Sequence, residues 1–230
     1  MHYAEYKHAD PSLVRDMVET FPFATFMVNG ERGPAVAQAP LTYREGRAAA
    51  GALEFHLARA NPIAPLMTPG TPLTVLLQGP GAAISPSWFK ASFQGPHPDR
   101  SKTAPTYNYV SLVMRGRLEF MPDEALQAQI ADLVLAHEPQ DGWRLDELAP
   151  PLWEGWRRAI QGYRLEIDAF DLTAKLSHGD VPDDRPGVVA GLKSRALQDD
   201  HTIARMVAGY DGTPASLRAQ LRSLRTIGRS

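Results

Sequence analysis

The sequence predicts an α+β protein, mainly β, built on an antiparallel barrel with peripheral helices and a helical C-terminal tail. Three observations carry this. Short apolar runs with strand texture follow one another from Phe23 to Phe120, separated by turn residues. Helical spacing returns only late, at Leu126, Ile130, Leu133, Val134 and His137. Strands and helices do not alternate regularly, which favours an antiparallel barrel over a doubly wound sheet.

The elements follow in order. Asp10-Pro11 opens the first: Asp is a good N-cap, Pro suits the first helical position, and Leu13, Val14, Met17, Val18 and Phe21 recur at helical spacing. Strands are expected over Phe23 to Val28 and Ala35 to Leu41 around Asn29-Gly30, and over Gly51 to Leu57 after Glu45-Gly46. Asn61-Pro62 opens a helical turn that ends near Pro69-Gly70. Pro72 to Gln78 and Ala82 to Ser85 read as a strand pair around Gly79-Pro80-Gly81. A long strand from about Tyr107 to Phe120 comes next, then a helix started by Pro122, a helix over Pro151 to Ile160, and a strand through Tyr163, Leu165, Ile167 and Phe170. The Asp- and Pro-rich stretch from Asp180 to Pro186 precedes a tail holding Ile203, Met206 and Val207. The expected division is therefore a barrel domain over 1–180 and a helical extension over 181–230.

At 230 residues the chain can bury a core without staples. It contains no cysteine, which excludes a disulfide framework, a thiolate metal site and a cysteine nucleophile. With a polar N-terminus and no apolar run long enough for a membrane span, this points to a soluble, cytoplasmic protein. A net charge of -2 offers no global attraction to nucleic acid. The local exception is the C-terminus, where Arg218, Arg222, Arg225 and Arg229 flank a helical stripe of Leu217, Leu221 and Leu224. That basic face either solvates a docked tail or contacts DNA. The chain has no GxxxxGK, GxGxxG, HExxH or GxSxG motif. His137-Glu138 runs into a proline instead of continuing a metal-binding helix, so no metal site is expected.

Three clusters carry candidate chemistry. In residues 56–62, His56, Arg59 and Asn61 deliver an imidazole, a guanidinium and an amide from a strand end, a set suited to an anion. Taken singly, Asn61 reads as a helix cap and Arg59 as a surface cation. In residues 84–89, Ser85 and Ser87 can join backbone amides around a phosphate, and Trp88 can cover a flat ring. In residues 102–109, Lys102, Thr106 and Asn108 accompany two phenols, Tyr107 and Tyr109. Period-two alternation puts Thr106 and Asn108 on one face and the tyrosines on the other. Between the last two clusters, Ala91 to Ser101 reads as an exposed loop able to close over a site.

In order and spacing these motifs resemble the PaiB family: His-Leu-Ala-Arg-Ala-Asn-Pro at 56–62, Gly-Pro at 79–80, Ile-Ser-Pro-Ser-Trp at 84–88 and Pro-Thr-Tyr-Asn-Tyr at 105–109. Phe21-Pro22-Phe23-Ala24-Thr25, His137-Glu138, Lys175-Leu176-Ser177, Asp184-Arg185 and Gly187 to Leu192 extend the similarity to about residue 207. The resemblance implies an FMN-binding split barrel related to flavin reductases and pyridoxamine-phosphate oxidases. It also implies a homodimer with FMN near the subunit interface, and a negative transcriptional regulator. On that basis Arg59, Lys102, Ser85, Ser87 and Thr106 are expected to share the flavin phosphate. Trp88, Tyr107 and Tyr109 are expected to border the isoalloxazine, with His56, Asn61 and Asn108 completing the cofactor set.

The chain departs from the family where Trp88-Phe89-Lys90-Ala91-Ser92 replaces Trp-Tyr-Pro-Ser-Lys, at Tyr107 where tryptophan is common, and at His178-Gly179 where Gln-Asn is usual. A bound flavin carries any redox chemistry itself, so the site serves sensing or electron transfer. The sequence favours a ligand-sensing regulator over a small FMN-dependent oxidoreductase. A third reading is haem binding through His56 or His178. No residue identifies a catalytic role or a substrate.

Overall fold

In a computed structural model, which describes residues 4–93, 101 and 103–227, the chain forms eight strands and seven α-helices among the described residues. They are, in order, β1 (Lys7–His8), α1 (Ser12–Thr20), β2 (Phe23–Gly30), β3 (Gly33–Pro40), β4 (Thr42–Arg44) and β5 (Ala52–Ala58). Then come β6 (Pro72–Ile84), α2 (Lys90–Phe93), β7 (Thr106–Phe120), α3 (Asp123–His137), α4 (Pro150–Ala159) and β8 (Ile160–Lys175). Three helices close the chain: α5 (Arg185–Arg195), α6 (Asp200–Gly209) and α7 (Pro214–Ile227). The strands form one sheet in the order β3-β2-β6-β7-β8-β5-β4, with β1 paired to β8. The residues divide into two compact units, one of 1–10, 78–111 and 171–224, the other of 11–77, 112–170 and 225–230. Strands β6, β7 and β8 are long enough to contribute residues to both.

The unit containing 11–77 and 112–170 is built on alternation. On β2, Ala24, Phe26 and Val28 point inward, while Thr25 and Met27 on the other face are half-buried. Phe26 stacks on Phe55 of β5 at 4.0 Å between centroids, and Phe55 stacks on Tyr163 of β8 at 5.3 Å. Helix α1 buries Leu13, Val14, Met17 and Val18, the stripe its spacing predicts. Glu54 is buried between two cations, accepting from Arg44 at 2.7 Å and Arg164 at 2.8 Å, and Arg164 lies directly across the ladder.

Two turns differ from the sequence expectation. Asn29-Gly30 is not the hairpin turn: Asn29 pairs with Pro34 and Gly30 with Gly33, so Glu31-Arg32 make the turn. The residue that needs left-handed backbone is Gly33, at φ +111, and it sets the register two positions later. Likewise Gly79-Pro80-Gly81 does not reverse the chain, because β6 runs unbroken from Pro72 to Ile84. Neither glycine adopts positive φ, and proline's fixed φ is compatible with an extended strand. The Gly81 N–H donates to Asp199 Oδ2 at 3.1 Å, a partner 118 residues away.

The unit containing 78–111 and 171–224 packs its sheet residues with the C-terminal helices. Val188, Leu192, Ile203, Met206, Val207, Leu217 and Leu221 are fully buried. The Arg185 guanidinium donates to the Val207 carbonyl at 2.5 Å and to the Tyr210 carbonyl, satisfying acceptors at the end of α6. His8 of β1 meets the Tyr210 hydroxyl through Nε2 at 2.6 Å, and the His178 ring lies edge-on to Tyr210 at 4.9 Å. Burial pushes the Tyr210 phenol above its ordinary range. Burial, reinforced by His178 and opposed by Asp10, holds His8 below its ordinary pKa.

A base whose folded pKa is depressed costs stability in acid. As pH falls through the ordinary histidine value of about 6.5, the unfolded chain gains a proton that the folded chain resists. Stability is expected to decline from pH 7 to pH 5, by at most about 1.4 kcal/mol per pH unit from this one group. In His8→Asn that decline is expected to flatten. Denaturant unfolding at several pH values measures it, and equal slopes in the two proteins would contradict it.

Candidate functional site

The unit containing 78–111 and 171–224 gathers a polar cluster where β7 begins and β8 ends. Alternation along β7 turns Thr106 and Asn108 to one side and Tyr107 and Tyr109 to the other, as the sequence predicts. Lys175, the last residue of β8, is buried and donates to the Thr106 hydroxyl. Its ammonium also lies 5.6 Å from the centre of the Tyr6 ring. Burial lowers the Lys175 pKa, against the opposing pull of Asp180 and Glu5. Asn108 is 0% exposed and donates from Nδ2 to Ser177 Oγ at 2.8 Å. Its Oδ1 is buried without a hydrogen-bond partner. Ser177 itself holds φ +59, a strained conformation for a non-glycine residue.

On the opposite side, Tyr107 is 52% exposed and lies against Gly81. A Cβ at 81 would approach Tyr107 Cε1 to 2.7 Å, so the phenol lies there only because residue 81 is glycine. Ser85 Oγ accepts from the Ser87 N–H at 3.2 Å and so caps the 3-10 turn Pro86–Trp88. Trp88 is seated on α5: Cβ atoms at Gly187 and Gly191 would reach 1.9 Å from its carbonyl oxygen and 2.2 Å from its ring. The Arg195 guanidinium lies 5.0 Å from the indole centre, fixed by two bonds to Asp200 at 2.8 and 2.6 Å. Ser92, where the family commonly carries lysine, donates to Asp184 Oδ2 at 2.5 Å.

In the other unit, His56 is linked through Nδ1 to Gln129 Oε1 at 2.8 Å, and Gln129 donates on to Thr42 at 3.1 Å. Arg59 is exposed, with Nε donating to the Arg158 carbonyl at 3.1 Å. Asn61 Oδ1 accepts from the Ile63 N–H at 3.1 Å, an Asx turn ahead of the 3-10 turn Ala64–Leu66, whose N-cap position is Ile63 and not the expected Asn61. Of the remaining expected residues, Lys102 and Arg229 lie outside the described residues, as does most of the loop expected over Ala91 to Ser101. His178 donates through Nε2 to the Glu5 carbonyl, 2.9 Å away, and its Nδ1 is buried without a partner. Among the described residues no three His, Asp or Glu side chains converge as metal ligands, and no helix is long and apolar enough to cross a membrane.

The sequence reading assigns none of Lys175, Ser177, Asp184, Arg195 or Asp199 to the site. Lys175-Leu176-Ser177 and Asp184-Arg185 offered a signal through the family pattern. Asp199 offered none, since its partner lies 118 residues away.

The fold is a split barrel shared with solved proteins. The flavocytochrome Anf3 from Azotobacter vinelandii superposes with a TM-score of 0.56 at 17% identity, over 76% of this chain and 71% of that one. The FAD and heme binding protein from Mycobacterium smegmatis superposes with a TM-score of 0.50 at 18% identity, over 74% and 73%. Both show the fold alone. The family model described as "Putative FMN-binding domain" matches residues 1–169, and the chain belongs to that family. Membership gives FMN or a related flavin as the cofactor class. A relative, "Protease synthase and sporulation protein PAI 2" of Bacillus subtilis (strain 168), is 22% identical over 206 residues, 88% of this chain and 93% of that protein. PAI 2 is the PaiB protein, so the resemblance read from the motifs holds.

The seat of Trp88 gives a direct test. Gly191→Ala drives a methyl group into the indole ring. The substitution is expected to cost about 1–3 kcal/mol, as overpacking does, in denaturant unfolding. An unchanged midpoint would contradict the packing described.

Proposed function

We propose that this chain is a PaiB-type negative transcriptional regulator that senses FMN or a related flavin. One observation carries the reading: a buried amide, a buried ammonium and a hydroxyl converge where β7 begins and β8 ends, and the amide has an acceptor with nothing to accept. A flavin ring offers an N–H flanked by carbonyls, which suits Asn108 Oδ1 and the Lys175 donor, so the residues present fit the group. Bound FMN would supply any hydride or electron chemistry. The protein's own part is to bind and orient: Thr106 and the hydroxyls of Ser85 and Ser87 offer neutral donors, and Tyr107 and Tyr109 offer aromatic surface on the opposite face of β7. Trp88, by its seat on α5, holds the turn that carries both serines.

We also propose His56, Arg59, Asn61 and Lys102 as cofactor-binding residues, with Arg59 and Lys102 contributing charge for a phosphate. We place the barrel domain at 1–180 and its helical extension at 181–230, in a cytoplasmic homodimer with the flavin near the subunit interface. DNA contact through α7 has a cost. Arg218 pairs with Asp10 at 3.1 Å and Arg225 pairs with Asp16 at 2.6 Å and with Glu19. A phosphate must displace those acids or add to them.

Reconstitution with FMN tests the cofactor. A yellow complex that NADH and NADPH leave unbleached supports the regulator. Bleaching would move the reading to an FMN-dependent oxidoreductase, and a colourless protein would sink both.

DNA binding at several salt concentrations tests the output. Changing Arg218, Arg222 and Arg225 to Ala is expected to shallow the salt dependence, by about 0.9 in the log–log slope for each phosphate no longer neutralised. An unaltered slope would remove α7 as the DNA-binding element.

A further inference from the structure

Two consecutive helices begin with an aspartate that does not cap them. Asp184 stands at the N-cap of α5 and Asp199 at the N-cap of α6, and neither side chain bonds its own helix. Asp184 has helical backbone, φ -83 and ψ -26, continuous with the 3-10 turn Pro182–Asp184, and not the extended backbone from which an aspartate caps its own helix. Here both carboxylates turn to the segment that carries Ser85, Ser87 and Trp88. Asp184 Oδ1 accepts from the N–H groups of Ala91 at 2.7 Å and Ser92 at 3.1 Å, and Oδ2 accepts from the Ser92 hydroxyl. Asp199 Oδ2 accepts from the Gly81 N–H at 3.1 Å. Asp184 is 2% exposed, so this is a desolvated carboxylate spent on a loop, and not a surface contact.

Between these two points Trp88 rests on the glycine face of α5 under Arg195. The segment from Gly81 to Ser92 is thus held at both ends and in the middle by α5 and α6. Two carboxylates at the starts of those helices supply the bonds at its ends.

We propose that Asp184 and Asp199 are positioning residues for the ligand segment, and that α5 and α6 are the elements through which occupancy of that segment is transmitted. The proposal rests on the flavin reading above. Ligand contacts made by residues 81–92 strengthen when that segment is ordered, and the segment is ordered by two carboxylates that belong to the helices. Coupling of this kind is reciprocal: whatever FMN adds to the order of α5 and α6, removal of the aspartate bonds must subtract from FMN affinity.

The test uses the full chain and FMN. Flavin fluorescence titration gives affinity, and amide hydrogen exchange of residues 185–209, with and without FMN, gives the transmitted effect. Asp184→Asn and Ser92→Ala are each expected to weaken FMN about 5- to 10-fold and to reduce the slowing of exchange that FMN causes in wild type. Ser92→Ala leaves α5 and its N-cap intact, so it carries the test if Asp184→Asn does not fold. The coupling is overturned if wild type binds FMN while both variants bind it equally well, or if FMN leaves exchange of 185–209 unaltered. A flat titration of wild type overturns the flavin reading itself, and the coupling with it.

Discussion

A lysine can be buried only where the fold supplies acceptors for it, and the Lys175 ammonium at the end of β8 sets that demand here. The demand is met from β7, because Thr106 and Asn108 share a face under period-two alternation and meet Lys175 and Ser177. A slip of one residue between the strands would turn both side chains away and expose the apolar face of β7 as well. Polar cluster and core therefore depend on one register. The strained backbone at Ser177 fits the same demand, since its Oγ must reach Asn108.

Much of the fold was legible wherever a local period governs. The stripe Leu13, Val14, Met17 and Val18 predicted α1, the long run to Phe120 predicted β7, and the faces of Thr106, Tyr107, Asn108 and Tyr109 followed from alternation. Asn29-Gly30 misled because a two-residue turn signal does not fix register: Gly33 supplied the left-handed residue and the turn moved to Glu31-Arg32. Gly79-Pro80-Gly81 misled for a deeper reason. Its glycine at 81 serves the close approach of Tyr107 and a bond to Asp199, neither of which leaves a local trace.

The site divides the same way. Asn108 and Thr106 could be named from the strand and the family motif, while Asp184, within a boundary stretch, was marked by the family pair Asp184-Arg185 but given no role. Its role is visible solely in the fold, where it sits at a helix start and bonds residues 92 and 93 positions earlier. The C-terminal arginines show the converse. Their spacing was legible, but Asp10, Asp16 and Glu19, which tie down Arg218 and Arg225, come from the far end of the chain.

The central claim is that a flavin occupies the cluster where β7 begins and β8 ends. A crystal structure grown with FMN tests it most directly. Flavin density is expected beside Thr106, with a ring N–H within hydrogen-bond distance of Asn108 Oδ1 and the Lys175 ammonium on a ring carbonyl. Density placed away from Thr106, Asn108 and Lys175 would contradict it.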